Sequence, residues 1–79
     1  MDYKAIAEQV GPRVGATQEW IFHVLREGII SGKLPGGMQL KQDEISAALN
    51  VSHIPVREAL RRLEAQGLVR IHANRGAAV

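Results

Sequence analysis

The sequence contains no cysteine, which excludes a disulfide framework and a thiolate zinc site. It has no apolar run near the roughly 20 residues needed to cross a bilayer and no signal-peptide pattern, so no membrane partner is expected and the cytoplasm is the expected compartment. Its three histidines lack the spacing of metal ligands, and there is no nucleophile–base pair or glycine-rich phosphate loop. The sequence therefore argues against an enzyme, a metal site and a cofactor in this domain.

The charges are unevenly distributed along a chain whose 79 residues make one small domain with a net charge of +2. Residues 1–50 carry five basic and six acidic side chains, whereas residues 51–79 carry five arginines and two glutamates. Arginine is suited to bidentate contact with phosphate or guanine. The concentration of arginine in the second part favours a polyanionic partner.

Residues 43–69 have the pattern of two short helices joined by a tight turn. Ser46 is small enough for the two helices to approach closely, and Asn50 tolerates the left-handed backbone that such a turn needs. This is the spacing of a helix-turn-helix, whose second helix enters the DNA major groove. The apolar residues that two steeply crossing helices would bury are Ile45, Leu49, Val51, Val56 and Ala59.

Capping and breaking residues divide residues 17–79 into further elements. Thr17 and Ser52 are the expected N-caps, while Gly32 and Gly67 are the expected stops. Helices are predicted at residues 17–31, 42–49 and 53–66, strands at 68–71 and 77–79, and one or two strand pairings at 38–40. The predicted fold class is mainly α with a small β-hairpin, a winged helix-turn-helix of three helices plus a wing.

Residues 1–16 form an N-terminal arm with two possible structures. Ile6 and Val10 are four residues apart, which allows a short helix, but Gly11-Pro12 and Gly15 interrupt the pattern. Because chain termini often fray, we favour a partly disordered arm over an ordered helix.

Arg57 is the first candidate for a DNA contact. The residues three and four positions away on its helix include no acidic side chain, so nothing nearby on the helix neutralises it. Arg62 has Glu58 four positions before it and is expected to form a surface ion pair. Arg61 lies within reach of both Glu58 and Glu64, and either an ion pair or a DNA contact is open to it.

The residues that begin the third helix are further candidates, because a helix N-terminus attracts phosphate. Ser52 serves as an N-cap, a phosphate ligand or both. His53 either donates to a base or phosphate or is simply solvated. Ile54 either contacts a thymine methyl group or joins the core.

Asn74, Arg75 and Gly76 occupy the tip of the predicted wing. Glycine permits a tight turn, and Arg75 is placed to enter a minor groove or hold a phosphate. The alternative is an ordinary hairpin loop that makes no DNA contact. The basic helix nearby favours the DNA contact over this alternative.

Two segments resemble a known family, and together with their flanks the resemblance covers residues 21–79. Residues 35–69, PGGMQLKQDEISAALNVSHIPVREALRRLEAQGLV, and residues 74–79, NRGAAV, resemble the N-terminal domain of GntR-family transcriptional regulators. The VREAL run at 56–60 and the NRGAAV ending are most similar to the FadR-like branch. The motifs match in order and in spacing.

The resemblance implies a winged-helix repressor or activator that binds double-stranded DNA. Family members carry a C-terminal effector domain that binds a metabolite and forms a homodimer, and in the FadR-like branch this domain is all-helical and often has a metal site. Since that domain is absent from the sequence, the chain is expected to be either a fragment or a product that has lost its sensor, and its ending at the wing favours a fragment. Carried over by position, the DNA contacts fall on the start of the third helix and on the wing.

Two positions depart from the family pattern. Members commonly have arginine where this chain has His53, so base readout there is expected to differ and to depend on pH. They also commonly have arginine where this chain has Asp43, and a carboxylate cannot hold a phosphate. Lys41 and Gln42 are candidates to replace that contact.

The predicted function is sequence-specific transcriptional regulation through an inverted-repeat operator in a bacterial cytoplasm, with the protein on the nucleoid when bound. The third helix would lie in the major groove and the wing on the adjacent groove or backbone, under the control of the effector domain. The alternative is a winged-helix protein-interaction module in which Trp20, Phe22 and residues 1–16 make the contact, although the two aromatic residues also fit the core.

Overall fold

The fold was analysed in a computed structural model that describes residues 3–72 and 76–79. Four helices and a three-stranded antiparallel sheet make up the described part, and the strand order in the sheet is β1-β3-β2. In chain order the elements are α1 (Tyr3–Val10), α2 (Thr17–Ser31), β1 (Gln39–Lys41), α3 (Gln42–Leu49), α4 (His53–Ala65), β2 (Arg70–His72) and β3 (Gly76–Ala78). This confirms the predicted winged helix-turn-helix and adds one helix and one strand to it.

The central helix α2 begins and ends where the sequence predicts, although not through the predicted cap. Thr17 is the first helical residue, Ala16 holds the cap position, and Thr17 Oγ1 instead accepts a hydrogen bond from Arg13 at 2.8 Å. Gly32 ends the helix with φ of 83° and donates its N–H to the Ile29 carbonyl. The expected stop is confirmed, because a left-handed terminal residue is what glycine permits without steric cost.

The core lies where α2, α3 and α4 face one another and the sheet. Ile21 and Leu25 of α2 are fully buried there, as are Ile45 of α3 and Leu63 of α4. Leu40 of β1 is also fully buried and pairs with Ala77 in the sheet register, so the wing strands are attached to the same core. The sheet therefore has a fixed position relative to α4. None of the described helices is long and apolar enough to span a membrane.

Helix α1 corrects the preference for a disordered arm. Tyr3, Ile6 and Ala7 are buried in the core, and Lys33 Nζ donates to Gln9 Oε1 on the outer side of the helix. Gly28 of α2 provides the room for this packing, since a Cβ there would lie 3.0 Å from Ile6 Cδ1. The short helix, the less favoured alternative, is the structure that forms.

Tyr3 makes the fold less stable at alkaline pH. Its side chain is 2% exposed and its hydroxyl has no hydrogen-bond partner among the described residues. Burial, with a smaller contribution from the charge of Glu44, raises the pKa of Tyr3 to about 12. The folded state therefore favours the neutral phenol. The contribution of buried Tyr3 to the free energy of unfolding is complete below pH 10, where the tyrosine of the unfolded chain is also neutral.

Between pH 8 and pH 11, we expect the free energy of unfolding of the wild-type chain to fall by about 1 kcal/mol more than that of Tyr3→Phe. The unfolded chain ionises above pH 10 while folded Tyr3 stays protonated until about pH 12, so ionisation pulls the wild type toward the unfolded state. Urea unfolding of both chains at pH 8 and pH 11 measures this difference. Tyr3 is the only tyrosine, so an equal change in both chains would contradict the assignment.

Candidate nucleic-acid interface

The turn between α3 and α4 has the geometry of a helix-turn-helix. Asn50 adopts φ 56° and ψ 52°, and its N–H donates to the Ser46 carbonyl, which also accepts from Val51 N at 3.0 Å. Ser46 itself is 7% exposed, as expected of a small residue where two helices approach closely. The predicted left-handed role of Asn50 is confirmed, and it fixes the direction in which α4 leaves the turn.

Two adjacent residues of α3 hold the first residue of α4. Gln42 Nε2 donates to the His53 carbonyl at 3.2 Å, and Asp43 Oδ1 lies 3.2 Å from His53 Nε2. Gln42 is 5% exposed and its amide nitrogen is used within the chain, whereas Lys41 is exposed, so Lys41 is the better placed of the two to replace a phosphate contact. The main chain of His53 is thus held by a hydrogen bond from the neighbouring helix, and its ring lies beside a carboxylate of the same helix.

Arg57 lies on the outer face of α4 and borders a groove of about 300 Å³ between α4 and the wing strands. Its side chain is exposed and pairs with no carboxylate among residues 3–72 and 76–79. The lining of the groove is completed by Gln42, Leu60, Arg61, Ile71, His72 and Gly76. Arg57 therefore combines an unneutralised charge with a position facing the wing.

The other arginines of α4 have partners within the chain. Arg61 Nη1 lies 2.9 Å from Glu58 Oε1, and Arg62 Nη1 lies 3.7 Å from Glu19 Oε1. The expected Glu58–Arg62 pair is wrong, because the Arg62 guanidinium lies 4.0 Å above the Phe22 ring and so points toward α2. Arg61 lines the groove and remains a candidate, since an exposed ion pair costs little to open.

Glu64 connects α4 to the wing. Its Oε2 accepts a hydrogen bond from Ile71 N at 2.9 Å, which occupies a backbone donor of the edge strand β2. The sequence placed Glu64 within reach of Arg61 and gave no indication of this contact, because its partner lies seven residues away beyond the end of the helix. The contact fixes the distance between α4 and the wing.

Of the remaining predicted residues, Gly76 lines this groove, whereas Ser52, His53 and Ile54 belong to the start of α4 and do not line it. Ser52 is exposed at the cap position of α4, but its side chain makes no cap hydrogen bond, which corrects the expected N-cap role. Ile54 is 69% exposed and therefore does not join the core. Gly76 pairs with His72 and with Lys41 in the sheet, while Asn74 and Arg75 lie outside the described residues.

The aromatic residues of α2 are occupied within the domain. Phe22 is 3% exposed, and Trp20 is half-buried and donates from Nε1 to the Gly11 carbonyl at 3.0 Å. Both therefore pack on the core, which is the alternative to a partner contact that the sequence left open for them. Within the described ranges no three histidine, aspartate or glutamate side chains cluster closely enough to hold a metal ion.

Comparison with known proteins identifies the family. Residues 17–79 match the family described as bacterial regulatory proteins, gntR family. The chain belongs to the GntR family. It is 35% identical over 74 residues to the HTH-type transcriptional repressor RspR of Escherichia coli K12, a match that covers 94% of this chain and 32% of RspR. It is 50% identical over 46 residues to a probable D-xylose utilization operon transcriptional repressor of Paenarthrobacter nicotinovorans, which covers 56% of this chain and 20% of that protein.

A solved structure confirms the assignment to a GntR winged helix. The crystal structure of a GntR-family transcriptional regulator from Pseudomonas syringae pv. tomato superposes with a TM-score of 0.74 at 41% identity, covering 99% of this chain and 35% of that one. The chain thus spans about a third of the length of relatives such as RspR. It corresponds to the DNA-binding domain of GntR-family transcriptional regulators.

Proposed function

We propose that α4 enters the major groove of an operator and reads base edges there, while the wing strands lie on the adjacent groove or backbone. The observation that carries this is Arg57, an exposed guanidinium without a carboxylate partner in the described chain, on a groove shared by α4 and the wing. An arginine in this position has the fork geometry that matches guanine O6 and N7. Ser52, His53 and Ile54 at the front of α4, and Arg61 one turn beyond Arg57, would complete the contact.

The wing would contribute through Gly76 and through Asn74 and Arg75, the two residues that precede it in the sequence. Glu64 supports this arrangement, because its bond to Ile71 keeps β2 beside α4, so that helix and wing approach the duplex together. Contacts from the wing to the phosphate backbone would fix the register in which α4 reads the bases.

The complete regulator would be a homodimer that binds an inverted repeat and represses transcription from the bacterial cytoplasm. RspR and the Paenarthrobacter protein are both named as repressors, which supports repression over activation for this chain. Dimerisation and metabolite binding would reside in a C-terminal effector domain of the FadR-like kind, as the VREAL and NRGAAV motifs imply. A change in the separation of the two DNA-binding domains would then prevent simultaneous docking on both half-sites.

The salt dependence of duplex binding tests this function. We expect the logarithm of the affinity to fall linearly with the logarithm of the KCl concentration; about three phosphate contacts predict a loss of about 40-fold between 50 and 200 mM. Fluorescence anisotropy with a labelled duplex, selected by the chain from a random-sequence library, provides the measurement. An affinity that does not change with salt, or no preference for the selected duplex over a scrambled one, would favour the protein-interaction alternative.

A further inference from the structure

Asp43 and His53 form a contact across the turn of the helix-turn-helix that the proposed function does not use. Their side chains are 67% and 56% exposed, so both reach the surface while Oδ1 and Nε2 stay 3.2 Å apart. His53 is the first residue of α4, the end of a recognition helix that lies closest to base edges. The pair therefore stands at the front of the reading surface.

The contact determines which ring nitrogen of His53 carries the proton. A carboxylate oxygen only accepts hydrogen bonds, and a lone pair on Nε2 would face its negative charge at 3.2 Å, so the neutral tautomer with its N–H on Nε2 is favoured. In the singly protonated ring, Nδ1 then has a free lone pair, and Nδ1 has no partner among the described residues. The same logic governs imidazoles at metal and catalytic sites, where the partner of one nitrogen sets the tautomer at the other.

The main chain of His53 is fixed together with the ring. Gln42 is 5% exposed and donates to the His53 carbonyl, so adjacent residues of α3 hold the backbone and the side chain of one residue. A ring held before binding loses less rotational freedom when DNA arrives. The carboxylate beside it also repels phosphate, which directs this end of α4 away from the DNA backbone and toward base edges.

We propose that Asp43 is a specificity-determining positioning residue. By holding His53 with Nδ1 as an acceptor, it makes the front of α4 select a base that presents an amino group in the major groove, adenine N6 or cytosine N4. Guanine and thymine present only acceptors at those positions and are rejected there. This inference rests on the proposed function and specifies the chemistry of one base position within it.

Base preference at single operator positions tests the inference. Random-library selection at pH 8 with the wild-type chain and with His53→Ala identifies the position that His53 reads. We expect the wild type to prefer adenine or cytosine there by about fivefold to tenfold, the size of one good base contact. Asp43→Asn is expected to reduce this preference below about twofold, because an amide donates as well as accepts and no longer fixes the tautomer.

A matched variant separates the contact from general electrostatics. Glu44→Gln removes the same charge from the next residue of α3, which is exposed and is not paired with His53, and is expected to leave the base preference unchanged. The wild type and these variants should all show the same preference at base positions read by Arg57. A variant that failed to fold would lose that preference as well. Preference for guanine at the His53 position, or an equal effect of Glu44→Gln, would overturn the inference alone. Failure of the wild type to select any duplex would overturn the proposed function as well.

Discussion

Replacing Arg57 with alanine is expected to weaken binding to the selected duplex by about 5- to 150-fold. This range corresponds to the roughly 1–3 kcal/mol that a bidentate arginine–guanine contact contributes. The effect should be large because no described carboxylate pairs with Arg57 in the free domain, so no ion pair has to be broken before it binds DNA. Anisotropy titrations at one fixed salt concentration measure it, with circular dichroism confirming that the variant remains folded.

Arg62→Ala is the matched control, since it removes the same charge from the same helix. Arg62 lies over Phe22 and near Glu19, away from the groove, so its loss should change affinity by less than about threefold. Arg57→Lys keeps the charge but not the fork, and it should lose base discrimination while retaining most of the salt dependence. Equal losses for Arg57→Ala and Arg62→Ala would show that only net charge matters and would contradict a reading role for Arg57.

The elements that the sequence predicted well are those with local signals. Helices α2 (Thr17–Ser31) and α3 (Gln42–Leu49) have the predicted bounds, because their signals are local: apolar periodicity runs through each segment, and a left-handed residue, Gly32 or Asn50, follows directly. Helix α4 ends one residue early and the strands shift by one or two, which is the usual scatter at element ends.

The contacts that the sequence did not predict join residues far apart along the chain. Arg62 was assigned to Glu58 on helical spacing, but Phe22 and Glu19 of α2 attract it instead. Spacing within one helix cannot show what a neighbouring helix offers. The Asp43–His53 contact likewise depends on the crossing angle of α3 and α4, although both residues were singled out as unusual for the family.

The sequence identified more of the residues at the groove than of the contacts that position α4 and the wing. The groove includes Arg57, Arg61 and Gly76, which the sequence named from charge and turn chemistry. The contacts of Gln42 with His53 and of Glu64 with Ile71 were not foreseen, because these partners become neighbours only on folding. Local chemistry thus identified the candidate residues at the groove, whereas the contacts that position α4 and the wing required the tertiary structure.

Helix α1 is the element that the sequence most underestimated, and Ile6→Ala is expected to cost about 2–4 kcal/mol of stability. Ile6 is 3% exposed and contacts the core beside Gly28, where removal of its outer carbons leaves a cavity that the tight helix crossing cannot close. For a domain of this size the loss corresponds to a fall in Tm of about 10–25 °C, measurable by circular dichroism. A disordered arm would give no change.

Glu8→Ala provides the control within the same helix. Glu8 is exposed, and alanine is at least as good a helix former, so this variant should change the stability by less than about 0.5 kcal/mol. Ile6 lies far along the chain from α4, yet both helices pack on α2, so loss of α1 weakens the support of the helix that carries Arg57. At temperatures well below its own Tm, Ile6→Ala should therefore bind DNA as the wild type does. On heating, it should lose DNA binding at a lower temperature than the wild type. Equal melting of the Ile6→Ala and Glu8→Ala chains would show that α1 does not stabilise the domain.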